Sequence, residues 1–294
     1  MTNTSFIIAG PTASGKSDLA HQLAKKLGGV IINCDSVQIY RGIESVSASP
    51  FADGVVHDDI DGVPYRLFSV LDLSTQISVA DYLSMARREY NWAINAGRPA
   101  IFVGGTGFYI DAIIRGISPI PDVGPYERSR ARDMVASDIC AARAMLGENA
   151  PSDPQRVSRA LEVLFATGKP IAYWQDMPRS GAITPTPYRV LIDPAPDVLR
   201  ERIAARVPNM VTAGALDHAR AVCHIPDARR RAIGMDELCR YLDGDIDWDK
   251  ALSNWITRTN QYAKRQRTWF RTQFVPDIKI ASAEPNAIEK ILAA

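Results

Sequence analysis

Eight residues near the start of the chain, Gly10-Pro11-Thr12-Ala13-Ser14-Gly15-Lys16-Ser17, fit G-x-x-x-x-G-K-[ST] and constrain the fold more than any other feature. They follow an apolar run, Phe6-Ile7-Ile8-Ala9. They open a stretch in which Leu19, Ala20, Leu23, Ala24 and Leu27 share one helical face, stopped by Gly28-Gly29. Val30-Ile31-Ile32-Asn33 then reads as a second strand. Strand, helix and strand within about thirty residues make a βαβ unit, which requires parallel pairing. In such a loop successive backbone N–H groups turn inward as a nest for phosphate oxygens, and the helix N-terminus adds positive potential. Lys16 supplies a cation, and the Ser17 hydroxyl can reach a Mg²⁺ held by the phosphates. The bland alternative is a glycine-rich turn with an exposed lysine. The motif names a phosphate and not a reaction, since kinases, ATPases and other pyrophosphate-handling enzymes share it.

The remaining periodicity predicts an α/β fold: a P-loop core with a parallel sheet flanked by helices, a small helical insertion and a helical C-terminal region. Val79 to Ala96 reads as a helix, Ala100–Val103 as a third strand running into Gly104-Gly105-Thr106-Gly107, and Tyr188–Ile192 as a fourth. Helices are expected over Arg128–Met145, Gln155–Ala166, Asp197–Val207, Leu216–Cys223, Arg229–Leu242 and Lys250 to about Gln273. Residues 41–78, rich in Ser, Asp and Gly, resist assignment. The core is expected over residues 1–122 and 151–294, with the helical insertion at 123–150.

Composition excludes some classes. At 294 residues and 46% apolar, the chain can bury a full core. It has no apolar run long enough to span a membrane and no basic segment that would start a secretory signal, so a cytoplasmic protein is expected. Cys34, Cys140, Cys223 and Cys239 share no close spacing, which argues against a zinc site or a disulfide framework and fits a reducing compartment. The net charge of +1 divides unevenly: residues 1–125 hold 9 bases and 12 acids, the remainder 25 and 21. The bases cluster at Arg128–Arg132, at Arg229-Arg230-Arg231, and over Asn254–Gln273. The last stretch holds Arg258, Lys264, Arg265, Arg267 and Arg271 without an acid, interleaved with Trp255, Tyr262, Trp269 and Phe270. Cations with aromatic platforms suit RNA. A solvated helix whose aromatics pack on the core is the competing reading.

Asp35 directly follows the second strand, where an open parallel sheet presents residues to its ligand crevice. A carboxylate there can take a proton from a nucleophile, or serve only as a cap or solvated loop residue. No apolar strand ends in a convincing metal-holding Asp; Ile192-Asp193 comes late and precedes Pro194. His57-Asp58-Asp59-Ile60-Asp61 lacks the D-D-x-x-D spacing of a prenyl-diphosphate metal cluster and reads as a solvated loop. Gly104 and Gly105 would let backbone approach a ligand, and Thr106 offers a hydroxyl.

Taken together, GPTASGKS (10–17), DSVQIYRG (35–42), VGGTGFYI (103–110), DPQRVSRALEV (153–163), RAIG (231–234) and TRTNQYAKRQRTWFR (257–271) resemble the tRNA dimethylallyltransferases, in the family's order and over nearly the whole chain. The resemblance implies transfer of a dimethylallyl group from dimethylallyl diphosphate to N6 of the adenine at position 37 of tRNA, just 3′ of the anticodon. It implies that Gly10 to Ser17 hold the diphosphate of the donor, with Ser17 near Mg²⁺, and that Asp35 and Thr106 are catalytic. It further implies that Asp35, Ser36, Val37, Gln38, Thr106, Arg128, Gln155, Arg156, Val157, Ser158 and Arg159 touch the tRNA anticodon arm. A monomer without membrane association is expected. The chain departs from the family in reading IESVSASP after its YRG, in Tyr65-Arg66 where two histidines are usual, and in Met235 after AIG. Rival readings are a small-molecule P-loop kinase, a prenyltransferase acting on free adenylates, and a non-catalytic RNA-binding protein.

Overall fold

The computed structural model describes residues 5–51, 59–282 and 286–293, and the side chains of Arg229 and Arg230 are not among those described. In chain order the elements begin with β1 (Phe6–Ala9), α1 (Lys16–Leu27), β2 (Val30–Asn33), α2 (Glu44–Ser47), β3 (Asp59–Ile60), β4 (Val63–Arg66), α3 (Val79–Asn95), β5 (Ala100–Gly104) and α4 (Gly107–Arg115). Then come α5 (Pro125–Ser137), α6 (Ile139–Leu146), α7 (Pro154–Thr167), α8 (Ile171–Gln175), β6 (Tyr188–Ile192), α9 (Pro196–Thr212) and α10 (Ala215–Val222). The last are α11 (Ala228–Arg231), α12 (Met235–Leu242), α13 (Trp248–Gln273), β7 (Ile278–Ile280) and α14 (Ala287–Ala293). Two compact units result, one of residues 1–114 and 183–294, the other Arg115–Ala182. The second reaches beyond the expected segment 123–150 because α7 packs on α5 and α6, and α8 packs on α7.

The first unit is built on one sheet in the order β3-β4-β2-β5-β1-β6-β7, parallel except for the β3–β4 hairpin. Its register decides where the chemistry lies. Ala9 pairs with Gly104 and Leu191, and Asn33 pairs with Val103. The chain segments that follow β1, β2 and β5 therefore leave the sheet side by side at one edge. Ile7, Ile8, Ile31, Ile32, Ile101 and Phe102 are fully buried, as two-sided coverage of a parallel sheet demands. Leu19, Ala20, Leu23 and Ala24 of α1 bury the face read from their spacing. Truncating Leu23 to Ala would cost about 2–5 kcal/mol. Strands β3 and β7 were not legible because they are two and three residues long, and β4 because Pro64 and the polar Arg66 interrupt its apolar run. No helix among the described residues is long and apolar enough to cross a membrane.

Two expected helices are split, each for a local reason. The stretch 128–145 breaks at Asp138, whose carboxylate accepts from the Cys140 and Ala141 N–H groups and so starts α6. The stretch 229–242 breaks before Gly234, which sits at φ 101° against the Trp255 indole, where any Cβ would collide. The cysteine reading is corrected as well: Cys223 and Cys239 are joined in a disulfide spanning α10 to α12. Sequence spacing could not show it, because the fold brings together side chains 16 residues apart. In the second unit, Ala131, Ala142, Val157 and Leu161 form the core between α5, α6 and α7, and the Arg130 guanidinium covers the Phe165 ring at 4.0 Å.

Candidate active site

The loop Gly10–Ser17 leaves β1 and closes onto α1 with two residues in the left-handed region, Ala13 at φ 61° and Gly15 at φ 90°. Backbone of that hand alternating with ordinary backbone points N–H groups into one concavity. Lys16 lies over the loop with its Nζ donating to the Pro11 carbonyl at 3.3 Å. Burial pulls its pKa down to about 8, opposed by the neighbouring Asp35 carboxylate and reinforced by Arg206. Ser14 is buried and its Oγ has no partner among the described residues. Ser17 is exposed at the first turn of α1 beside Asp18.

Asp35 stands where the sequence order placed it, just beyond β2. The buried Asn33 side chain shapes the turn: its Oδ1 accepts from the Asp35 N–H at 2.9 Å, and its Nδ2 donates to the Asp35 and Leu67 carbonyls. The Asp35 Oδ1 accepts from Val37 N–H at 2.9 Å and Gln38 N–H at 3.4 Å. The carboxylate is thereby held by one oxygen, and Oδ2 takes no hydrogen bond among the described residues. Thr106 meets it from β5: the Thr106 Oγ1 accepts from Ser36 N–H at 2.9 Å and lies 3.2 Å from Ser36 Oγ. The register sets the segments after β1 and β2 on either side of the turn after β5, to which the Asp35 segment is tied through Ser36 and Thr106. Asp35 is near enough to act electrostatically on Lys16, Arg206 and Tyr262, and the carboxylate and the loop lysine border one crevice. The structure thus unites Gly10–Ser17, Asp35, Ser36 and Thr106. The Gln38 amide turns away toward α2, donating to the Ser47 and Ala48 carbonyls.

The glycines of the turn after β5 make room for neighbouring elements of the protein. A Cβ on Gly104 would strike the Cys34 carbonyl and the Asp35 nitrogen; on Gly105, the Gln266 amide; on Gly107, the Trp269 ring. Two arginines of α9 complete the cradle and were missed in the sequence. Arg202 Nη1 donates to the Ser14 carbonyl at 3.2 Å. Arg206, one turn on, is desolvated between Asp35 and Asp18. Their only sequence signal was an i, i+4 pair of arginines on a helix with no acidic partner at that spacing.

The basic clusters change meaning in three dimensions. Arg231 donates to Tyr40 Oη at 3.0 Å and to the Leu73 and Thr75 carbonyls, so it is an internal tie. On α13, Arg258 pairs with Glu237 at 2.6 Å and Arg267 with Asp193 at 2.6 Å. The missing acids come from other elements. Trp255 and Phe270 are core residues at 1% and 2% exposure, not platforms for bases. Lys264, Arg265 and Arg271 remain exposed. Asp193, held by Arg267 and by Lys279 at 2.8 Å, is committed to ion pairs that depress its pKa. It is therefore no counterpart of a kinase metal-holding Asp. A separate cavity of about 610 Å³ between β6, α9 and α13 has this ion pair in its wall and contains none of the loop residues.

In the second unit, Arg128, Gln155 and Arg156 are exposed, and Arg159 pairs with Glu162 at 3.0 Å. Val157 is fully buried and Ser158 nearly so, which leaves the Val157 side chain to the core. Of the acidic stretch, His57 and Asp58 lie outside the described residues. Asp61 pairs at 3.8 Å with Lys25 and with His21. Among the described residues no group of three or more His, Cys, Asp or Glu side chains could hold a metal ion.

The family pattern described as IPP transferase matches residues 38–273, and one described as isopentenyl transferase matches residues 3–58. The tRNA dimethylallyltransferase of Paramagnetospirillum magneticum is 40% identical over 309 aligned positions, covering 100% of this chain and 96% of that protein. That of Acidiphilium cryptum is 41% identical, covering 92% and 85%. Among solved structures, the tRNA isopentenylpyrophosphate transferase of Bacillus halodurans superposes with a TM-score of 0.68 at 30% identity, covering 99% of this chain and 94% of that one. A eukaryotic dimethylallyltransferase acting on tRNA superposes at 0.77 with 22% identity over 99% and 78%, a likeness of fold.

Proposed function

The chain belongs to the IPP transferase family, and from that premise we propose that it transfers the dimethylallyl group of dimethylallyl diphosphate to N6 of the adenine at position 37 of tRNA, releasing diphosphate. The observation that carries the reading is the crevice itself, where a phosphate-binding loop with its lysine faces a carboxylate with one uncommitted oxygen.

The chemistry follows from those groups. The exocyclic amine of adenine is a weak nucleophile, its lone pair being delocalised into the ring. It must be held in line with the allylic carbon and needs an acceptor for its proton. Asp35 Oδ2 takes that proton while Oδ1 stays anchored to Val37 and Gln38. As the N6–C bond forms, the allylic C–O bond breaks and its electron pair leaves with the diphosphate. The loop amides, Lys16 and Arg206 meet the charge gathering there. Thr106 holds the Ser36 N–H and lies beside the reacting groups. A Mg²⁺ fits this donor set: Ser17 offers a hydroxyl at the loop exit and no protein cage is present among the described residues, which suits an ion bound chiefly through phosphate oxygens and water. When bound, it would offset charge on the leaving diphosphate.

The adenine must leave its stack to reach Asp35. Contacts to the anticodon arm are assigned to Asp35, Ser36, Val37, Gln38 and Thr106 in the first unit. In the second they fall to Arg128, Gln155, Arg156 and Arg159, the Val157 and Ser158 side chains being buried. The enzyme acts as a monomer in the cytoplasm, where its RNA substrate resides.

The test is incubation of the protein with labelled dimethylallyl diphosphate and an anticodon stem-loop, with and without Mg²⁺, alongside AMP as a competing acceptor. Label is expected in the RNA and not in AMP. Asp35→Ala should lower kcat by about 10²–10⁴-fold with donor affinity within a few fold. Label in AMP alone, or in neither, overturns the proposal.

A further inference from the structure

The Gln266 side chain of α13 is buried and reaches into the crevice from behind. Its Oε1 accepts from the Thr12 N–H at 2.8 Å, and its Nε2 donates to the Gly105 carbonyl at 2.9 Å. One amide thus grips the donor loop, 254 residues away in sequence, and the turn that carries Thr106, 161 residues away. The fit is close on both sides. A Cβ on Gly105 would run into Gln266 Nε2 and lie 3.1 Å from the Gly10 carbonyl, so this turn and this side chain require each other. Pro11 has no N–H, and Thr12 has given its own to Gln266. The concavity offered to a diphosphate therefore begins at Ala13, the first left-handed residue. One helical turn before Gln266, the Tyr262 phenol faces Thr106 and Gln266 and senses Asp35. Burial, with Asp35 nearby, raises its pKa, so it stays a neutral phenol.

We infer that Gln266 is a positioning residue for the transfer, its amide setting the spacing between the diphosphate cradle and the Asp35–Thr106 side of the crevice. The inference rests on the reading of this crevice as a dimethylallyl-transfer site. The physical reason is that this spot asks for one acceptor and one donor on the same side chain, a pair that an amide supplies without having to gain or lose a proton. An ionised carboxylate accepts from Thr12 but faces the Gly105 carbonyl with a second acceptor. A thioether does neither. In-line transfer between two separately bound groups tolerates little slack, since a shift of about 1 Å costs roughly 100-fold in rate.

Gln266→Met and Gln266→Glu are compared with the wild type for stem-loop prenylation, for equilibrium binding of dimethylallyl diphosphate, and for melting temperature. Gln266→Met should lose at least about 30-fold in kcat while donor affinity changes by less than about fivefold. Gln266→Glu supplies a readout that a scaffold role would not move. A protonated carboxylic acid has one donor and one acceptor, as the amide does, so activity relative to wild type should rise at least about fivefold from pH 8 to pH 6. This ratio is taken within one folded protein and survives a poorly folding Met variant. Wild type inactive on RNA would sink the transfer reading itself. Wild type active with both variants within about twofold of it, or a loss confined to donor affinity, or a flat Glu-to-wild-type ratio across pH, overturns the role of Gln266.

Discussion

Burial draws the Lys16 ammonium down to about 8 while Asp35 pulls it back up, and this balance makes donor binding pH-dependent. On the proposed reading the diphosphate binds the protonated lysine, and affinity for dimethylallyl diphosphate should then fall as pH rises above about 8, approaching tenfold per unit. Folding responds with the opposite sign. Between about 8 and the ordinary lysine value of 10.5, the unfolded chain binds more protons at this position than the folded one, so this group's contribution to stability rises with pH. Donor titrations and melting curves from pH 7 to pH 9.5 separate the two, and Lys16→Arg should flatten the binding curve. Melting that falls in step with affinity would show unfolding instead. Lys16 and Asp35 were legible because a loop motif and a strand end are local facts. Arg206 and Gln266 were not: nothing in their neighbours announces that α9 and α13 end up beside the loop.

At the scale of elements, the turn after β5 was legible as a tight place and illegible in purpose. Its three glycines leave room for Asp35, Gln266 and Trp269, neighbours that no window of sequence contains. The disulfide is of the same kind. It ties α10, which packs on α2 with His218 Nδ1 2.5 Å from Ser45 Oγ, to α12, whose Glu237 pairs with Arg258. Closing a loop of this length stabilises by about 3 kcal/mol in the chain-entropy account. The oxidised protein should therefore melt several degrees above the same protein in excess dithiol, and Cys223→Ser should melt like the reduced form in both conditions. Equal melting of oxidised and reduced protein would show that the bond contributes nothing. A reducing compartment would hold the pair as thiols, so the reduced form is the one to compare with activity in the cell.

For the molecule as a whole, the positive charge that suggested RNA is sorted by tertiary packing into two sets. Arg231, Arg258 and Arg267 serve internal carboxylates, carbonyls and a phenol; Lys264, Arg265 and Arg271 of α13 stay in solvent. Changing Lys264 and Arg265 to Ala should weaken stem-loop binding and reduce the slope of log affinity against log salt by about 0.7 for each phosphate no longer neutralised, with donor binding and melting unchanged. Arg258→Ala should instead lower the melting temperature by leaving the buried Glu237 without its partner. An unchanged salt slope in the Lys264 and Arg265 variants would remove α13 from the RNA surface. The sequence by itself determined the βαβ start, the phosphate loop, the carboxylate at the strand end and the family, because each is written in residues adjacent along the chain. Only the tertiary structure decided which cations are free, which cysteines meet, why the glycines are needed and which side chain spans the crevice. Those depend on segments up to 254 residues apart reaching the same few ångströms, and no local pattern encodes that meeting.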